Sequence, residues 1–302
     1  MTTSVAVLLG GWSAERDVSL SSGRECADAL VRAGYDVREI DMNGDVATLI
    51  SQLEDPRPDV VFNALHGRWG EDGAVQGLLD MMAIPYTHSG RVASTIAMNK
   101  PLSIQLFRMA GLPTAEHVIA DLDALRAGHD PLPRPYVIKP AQEGSSVGVY
   151  IVEKNSNGPD LAGWTFGEAM AEEYVAGREL TVSVMGGKAL AVTELKPVQG
   201  FYDYEAKYTD GKTVHLCPAP VPDSVTHACM EIAEKAHVAL GCRGVSRSDF
   251  RYDPDTGRLV ILEVNTQPGM TPLSLVPEQA KYLGMTFEEL VSWMVENASC
   301  DT

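Results

Sequence analysis

Along the chain, short continuous apolar runs alternate with stretches of helical period. Val5 to Leu9 is an apolar run ending in Gly10-Gly11, and a 3.6-residue period follows from Val18 to Ala33, closed by Gly34. Strand, glycine turn and helix open an α/β unit. A second strand is predicted over Val37 to Ile40, a helix over Val46 to Leu53, and a third strand over 59–65 (D-V-V-F-N-A-L) that runs into H-G-R-W-G-E-D-G. Open α/β sheets bind ligands in such loops, at the carboxyl ends of parallel strands. Taken singly, each of these glycines also fits a tight turn and nothing more.

Helical periods continue over Val75 to Met82 and Val92 to Ala110, the second carrying Lys100 before Pro101. The run Y-V-I-K-P, ending at Lys139-Pro140, is followed by A-Q-E-G-S-S-V-G-V-Y-I-V. Two apolar runs about a Gly-Ser turn predict a β-hairpin, not a strand-to-helix phosphate loop. Strands are predicted at Ala169 to Tyr174, Glu179 to Met185 and Ala189 to Leu195, with a long loop over 198–213 that has neither period. A helix over Ser224 to Leu240, strands at Gly244 to Tyr252 and Leu259 to Val264, and a helix over Thr286 to Ala298 complete the pattern.

The charge pattern narrows the partners. With 41 acids against 24 bases the formal charge is −17, which excludes a nucleic-acid binder acting through a broad basic surface. A polyanion must then be held by a few lysines, backbone N–H groups and divalent metal. The first residues lack the basic region and long apolar run of a leader or a membrane span, so a cytoplasmic location is expected. Five cysteines without C-x-x-C spacing predict free thiols rather than a disulfide scaffold or a cysteine-built zinc site.

Candidate chemistry lies in strand pairs. Glu263 and Asn265 stand at i and i+2 in V-I-L-E-V-N, so both oxygen-bearing side chains project from one face. Oxygen donors suit a hard cation such as Mg2+. In S-R-S-D-F, Arg247 and Asp249 repeat the i, i+2 spacing, and the short D-P-D-T-G turn predicts that the two strands form a hairpin bringing Asp249 to the same centre. A structural ion pair between Arg247 and Asp249 or Glu263 uses the same residues. Lys139, expected to emerge at an edge beside Gly144-Ser145-Ser146, and Lys207 in the long loop are candidate phosphate contacts.

Taken in order, L-L-G-G-W-S-A-E-R-D-V-S-L, L-H-G-R-W-G-E-D-G-A-V-Q-G, V-I-K-P with E-G-S-S-V-G-V, E-E-Y-V-A-G-R-E-L-T-V, F-Y-D-Y-E-A-K-Y, R-S-D-F and L-E-V-N-T-Q-P-G-M-T-P-L-S-L resemble the D-alanine–D-alanine ligases of the ATP-grasp superfamily. The resemblance implies an α/β, three-domain ATP-grasp fold. Its parts are an N-terminal parallel-sheet (pre-ATP-grasp) domain over 1–92, a central domain with the Gly/Ser hairpin over 93–173, and a C-terminal domain with the metal site and long loop over 174–302. It implies ATP-dependent ligation of two D-alanine molecules for peptidoglycan precursors, with ATP, two Mg2+ ions (Mn2+ able to substitute, K+ a further candidate) and a homodimer.

Carried onto this sequence, the family pattern places Lys100, Lys139, Ser145 and Ser146 at the ATP phosphates and Lys207 at the transferred phosphate. Glu172, Glu173, Tyr174, Val175 and Leu262 would frame the adenine, and Glu179 the ribose. Asp249, Glu263 and Asn265 become metal ligands. Arg247 and the Gly269 N–H stabilise the oxyanion, while Glu15, linked to Ser145 and Tyr208, takes the first D-alanine's ammonium. His66 is expected either to orient Glu15 or to assist removal of a proton from the attacking amine, and Ser274 with the Leu275 N–H takes the second substrate's carboxylate. Without the resemblance, Glu15 reads as a first-turn acid stabilising a helix N-terminus.

Asn99, His88 and Ser248 depart from the common family text, as does the lack of a lysine in Pro101 to Gln105. They bear on the pocket wall rather than on the reaction. Tyr208 points to D-alanine as the second substrate; D-serine, D-lactate and a nucleotide-binding protein without ligase activity are the alternatives. A NAD-dependent dehydrogenase is disfavoured because G-x-G-x-x-G is absent.

Overall fold

The computed structural model describes residues 2–43, 45–144, 147–158, 161–197 and 213–301. Its first sheet is parallel, of order β2-β1-β3, with β1 (Ser4–Gly10) between β2 (Asp36–Met42) and β3 (Val60–Asn63). The continuous apolar text of β1 has a direct cause. Val5, Val7 and Leu9 pack with α1 (Arg16–Arg32), while Ala6 and Leu8 pack with α2 (Val46–Glu54) and α3 (Ala74–Met81), so both faces are buried. Strand β3 stops at Asn63, two residues before the expected end.

The helix expected over 92–110 is two helices. Asn99 is extended (φ −92°, ψ 91°), and its side chain accepts from the Leu102 N–H, so α4 (Arg91–Met98) ends there and α5 (Lys100–Met109) begins. The break places Lys100 at the first position of α5, next to Pro101.

An antiparallel sheet of order β4-β7-β5-β6 follows, from β4 (His117–Ala120), β5 (Tyr136–Pro140), β6 (Tyr150–Val152) and β7 (Ala169–Glu173). Strands β5 and β6 pair antiparallel, as the hairpin reading expects. Strand β4 and the five-residue α6 (Leu122–Arg126) have no counterpart in the periodicity.

The third sheet has order β10-β9-β8-β11-β12, from β8 (Arg178–Met185), β9 (Lys188–Pro197), β10 (Thr213–Leu216), β11 (Val245–Asp253) and β12 (Arg258–Asn265). Thr213, expected in the long loop, begins β10; the rest of that loop lies outside the described residues. Leu180, Val182 and Val184 of β8 pack on Cys229, Ala233 and Ala236 of α7 (Asp223–Ala239) and on Ile104 and Phe107 of α5. Burying each of these Leu, Val, Ile and Phe side chains contributes about 1.5–3 kcal/mol.

After β12 come α8 (Leu275–Tyr282) and α9 (Phe287–Glu296). Helix α9 starts in a capping box of Thr286 and Glu289 and ends two residues before the expected Ala298. Leu290, Val291 and Met294 of α9 share a core with Val5, Val7 and Leu30, so the C-terminal helix completes the core of the first sheet.

Candidate active site

Two adjoining cavities share Lys100, Glu143, Gly144 and Glu263. Lys139, Glu172, Glu173, Tyr174, Val175, Glu179, Asp249 and Leu262 also line one; Glu15, His66, Arg247, Asn265, Gly269, Ser274 and Leu275 also line the other. Every described candidate residue therefore faces one continuous cleft. Ser145, Ser146, Lys207 and Tyr208 lie outside the described residues.

Strands β11 and β12 pair antiparallel with Arg247 opposite Asn265 and Asp249 opposite Glu263. The register then slips, Phe250 facing Ile261, so Leu262 is the extra residue of a β-bulge. Strict alternation would put Leu262 on the face opposite Glu263. The bulge turns both toward the cleft.

Arg247 grips Asp249 bidentately, Nε to Oδ1 at 2.8 Å and Nη2 to Oδ2 at 2.7 Å, and Thr181 Oγ1 donates to the same Oδ1 at 2.8 Å. The ion-pair alternative is thus realised on the very strand that carries the metal candidate. Three of the roughly four lone-pair positions of the Asp249 carboxylate are engaged, leaving room for one further bond. The Asn265 carboxamide oxygen accepts from the Gln267 N–H at 2.8 Å. Among the described residues no group of three or more His, Cys, Asp or Glu gathers as a metal cage. What is present is a pair of facing carboxylates plus a carboxamide, a hard oxygen set that suits Mg2+ when phosphate and water supply the remaining ligands.

Lys100 donates to the Glu143 carbonyl oxygen at 2.5 Å and lies 3.7 Å from Glu263 Oε2. Lys139 corrects an expectation. Its ammonium does not emerge at an edge; it crosses from β5 to β7 and meets Glu172 Oε2 at 2.7 Å, both side chains buried. The reason is desolvation: two buried side chains of opposite charge within reach must pair.

Glu15 sits at the N-cap of α1 but makes no side-chain capping bond. Its carboxylate turns instead toward Gly67 and Gly144. A Cβ on Gly67 would lie 2.8 Å from Glu15 Oε2, and Gly67 adopts φ +69°. His66 Nδ1 is 3.0 Å from Glu71 Oε1, and Nε2 is 3.4 Å from Ser22 Oγ, so both ring nitrogens are engaged by these two residues and His66 does not orient Glu15 as expected. Ser274 precedes α8 and its hydroxyl accepts from the Thr271 N–H at 2.9 Å, leaving Leu275 as the first residue of a helix whose N-terminus favours an anion.

The description "D-ala D-ala ligase C-terminus" matches residues 100–296, and "D-ala D-ala ligase N-terminus" matches 47–89. A D-alanine–D-alanine ligase of Acidiphilium cryptum is 60% identical over 299 residues, covering 98% of each chain. The chain belongs to the D-alanine–D-alanine ligase family. Among solved structures, a D-alanine–D-alanine ligase from Bacillus anthracis complexed with ATP superposes with TM-score 0.81 at 31% identity, covering 98% of this chain and 97% of that one. A D-Ala:D-Ser ligase from Enterococcus faecalis gives TM-score 0.81 at 27% identity, covering 98% and 99%. The fold class is that of the ATP-grasp ligases.

Within this family fold, Arg251, Glu71 and Thr181 are among the residues that escaped the sequence reading. Arg251 packs its guanidinium 5.9 Å from the Tyr174 ring centre, donates to the Val175 and Gly177 carbonyls, and lies 3.6 Å from Glu179. It fixes the segment expected to frame the adenine, and its signal was the continued i, i+2 spacing after Arg247 and Asp249. Glu71 pairs with His66 and Thr181 with Asp249; neither contact has a local sequence signal.

Proposed function

We propose that the protein ligates two D-alanine molecules to D-alanyl-D-alanine, with ATP cleaved to ADP and phosphate, to supply a peptidoglycan precursor. The observation that carries the reading is the junction of the two cavities at Lys100, Glu143, Gly144 and Glu263. A phosphoryl group delivered from one side meets a carboxylate held on the other.

In this reading an oxygen of the first D-alanine carboxylate attacks the γ-phosphorus, and ADP leaves. The amine of the second D-alanine then attacks the acyl carbon, and phosphate departs with that oxygen. Glu15 binds the first ammonium, with Ser145 and Tyr208 as its expected partners, while His66, whose ring nitrogens meet Glu71 and Ser22, supports the neighbouring loop. Arg247 and the Gly269 N–H stabilise the tetrahedral oxyanion. Ser274 and the Leu275 N–H hold the second carboxylate.

Lys100, Lys139, Ser145 and Ser146 hold the phosphates, and Lys207 the transferred one. Glu172 to Val175 and Leu262 frame the base, and Glu179 the ribose. Asp249, Glu263 and Asn265 would hold two Mg2+ ions, or Mn2+ in their place, which when bound neutralise phosphate charge; K+ is a further candidate. We also propose domains over 1–92, 93–173 and 174–302, a homodimer and a cytoplasmic location. No helix among the described residues is long and apolar enough to cross a membrane.

The test is product mass after incubation with ATP, Mg2+ and equal amounts of D-alanine, D-serine and D-lactate. D-alanyl-D-alanine should dominate. A dominant mixed product reassigns the acceptor, and ATP binding without any ligation product favours the non-ligase alternative.

A further inference from the structure

Gln267 has no part in the chemistry described so far, yet it is 1% exposed and both polar atoms of its side chain are bonded. Its Oε1 accepts from Asn63 Nδ2 at 2.6 Å, and its Nε2 donates to the Leu65 carbonyl oxygen. Asn63, at the end of β3 and fully buried, also has both side-chain polar atoms bonded. Its Nδ2 also donates to the Gly70 carbonyl at 3.1 Å, and its Oδ1 accepts from the Leu65 N–H at 3.2 Å. Two carboxamides 204 residues apart thus form one buried network.

The network joins the two halves of the cleft. On one side are the backbone groups next to His66 and Glu71. On the other is the loop after β12, where the Gln267 N–H donates to the Asn265 carboxamide oxygen. A second tie follows beyond Gly269: the Met270 N–H donates to Ser22 Oγ at 3.3 Å, and the same oxygen lies 3.4 Å from His66 Nε2. Gly269 is therefore held between two anchors that both belong to the first sheet and its helix.

We propose that Gln267, with Asn63, is a positioning residue for ligation. The amide clamp sets the Asn265 carboxamide and the Gly269 N–H against the substrate-side loop at 63–71, fixing the metal half of the site relative to the acyl half. The inference rests on the ligase reading above. Geometry of this kind matters because a donor displaced by about 1 Å lowers a rate by about a hundredfold.

Steady-state kinetics and thermal midpoints of the full-length Gln267→Met and Asn63→Leu proteins, alone and combined, test it. Gln267→Met keeps length and volume while removing both side-chain hydrogen bonds. The expected result is a kcat at least ten-fold lower with KM for ATP within two-fold of the parent, because Lys139, Glu172, Glu173 and Glu179, assigned to phosphate, base and ribose, lie on β5, β7 and β8, which the clamp does not touch. The double variant should lose little beyond the worse single one, since the two side chains act as one unit. Gln267→Glu, which still accepts from Asn63, should fall between, and it carries the test if Gln267→Met does not fold. A kcat within two-fold of the parent, or equal losses in kcat and folded fraction, overturns the proposal. A parent protein that makes no dipeptide overturns the ligase reading instead, so the two failures are distinguishable.

Discussion

Lys100 Nζ donates to the carbonyl oxygen of Glu143 and stands 3.7 Å from Glu263 Oε2. One ammonium thus joins the backbone entering the Gly/Ser turn to a carboxylate of β12. Replacing Lys100 with Met should raise KM for ATP by about ten- to a hundredfold, the equivalent of about 1.5–3 kcal/mol for a hydrogen bond to a charged group. Steady-state kinetics with varied ATP check this, and an unchanged KM would remove Lys100 from the nucleotide site.

Glu263→Gln should lower metal-dependent turnover by about a hundredfold or more and raise the Mg2+ concentration needed for half-maximal rate. The Glu263 side chain is 32% exposed, so its thermal midpoint should move little. Activity and stability falling in proportion would make Glu263 a structural residue.

The Lys139 and Glu172 pair carries stability in addition to its place in the nucleotide-side cavity. Both side chains are buried, and Lys139→Met leaves the Glu172 carboxylate without its ammonium. We expect a loss of about 3–5 kcal/mol in the stability of the central sheet. Urea unfolding should show partial recovery in the Lys139→Met, Glu172→Gln double variant; no recovery would mean that the pair is not coupled.

Burial holds the His88 imidazole down to about 3 and that of His237 to about 4, from an ordinary 6.5. The folded state keeps both neutral while the unfolded chain takes up protons. Stability from these groups is complete above pH 6.5 and falls as pH drops toward about 4. Urea midpoints at pH 7 and pH 5 should differ, and His237→Gln should reduce the difference. An equal or larger difference in that variant would contradict the assignment.

The metal side of this site was legible because its residues repeat at strand spacing, whereas Glu15, Glu179, Gly269 and Ser274 were legible only through the family resemblance. Arg247 with Asp249, and Glu263 with Asn265, share faces by period two, and the short turn between the strands dictated their pairing. The β-bulge at Leu262 was not legible, because a register slip depends on both strands at once. Nor was the Lys139–Glu172 pair, which needs the order of strands in the sheet, or the contact of Gln267 with Asn63 across the whole fold. Strand β4 and helix α6 are too short for a period to emerge, and the break at Asn99 was hidden inside an apolar pattern that runs through it.

The most direct measurement follows oxygen. With D-alanine labelled by 18O in its carboxylate, ATP and Mg2+, mass spectrometry of the products should find one labelled oxygen in phosphate for each D-alanyl-D-alanine formed. Phosphate carrying no label from D-alanine would mean that its carboxylate never attacked the γ-phosphorus, and would contradict the account.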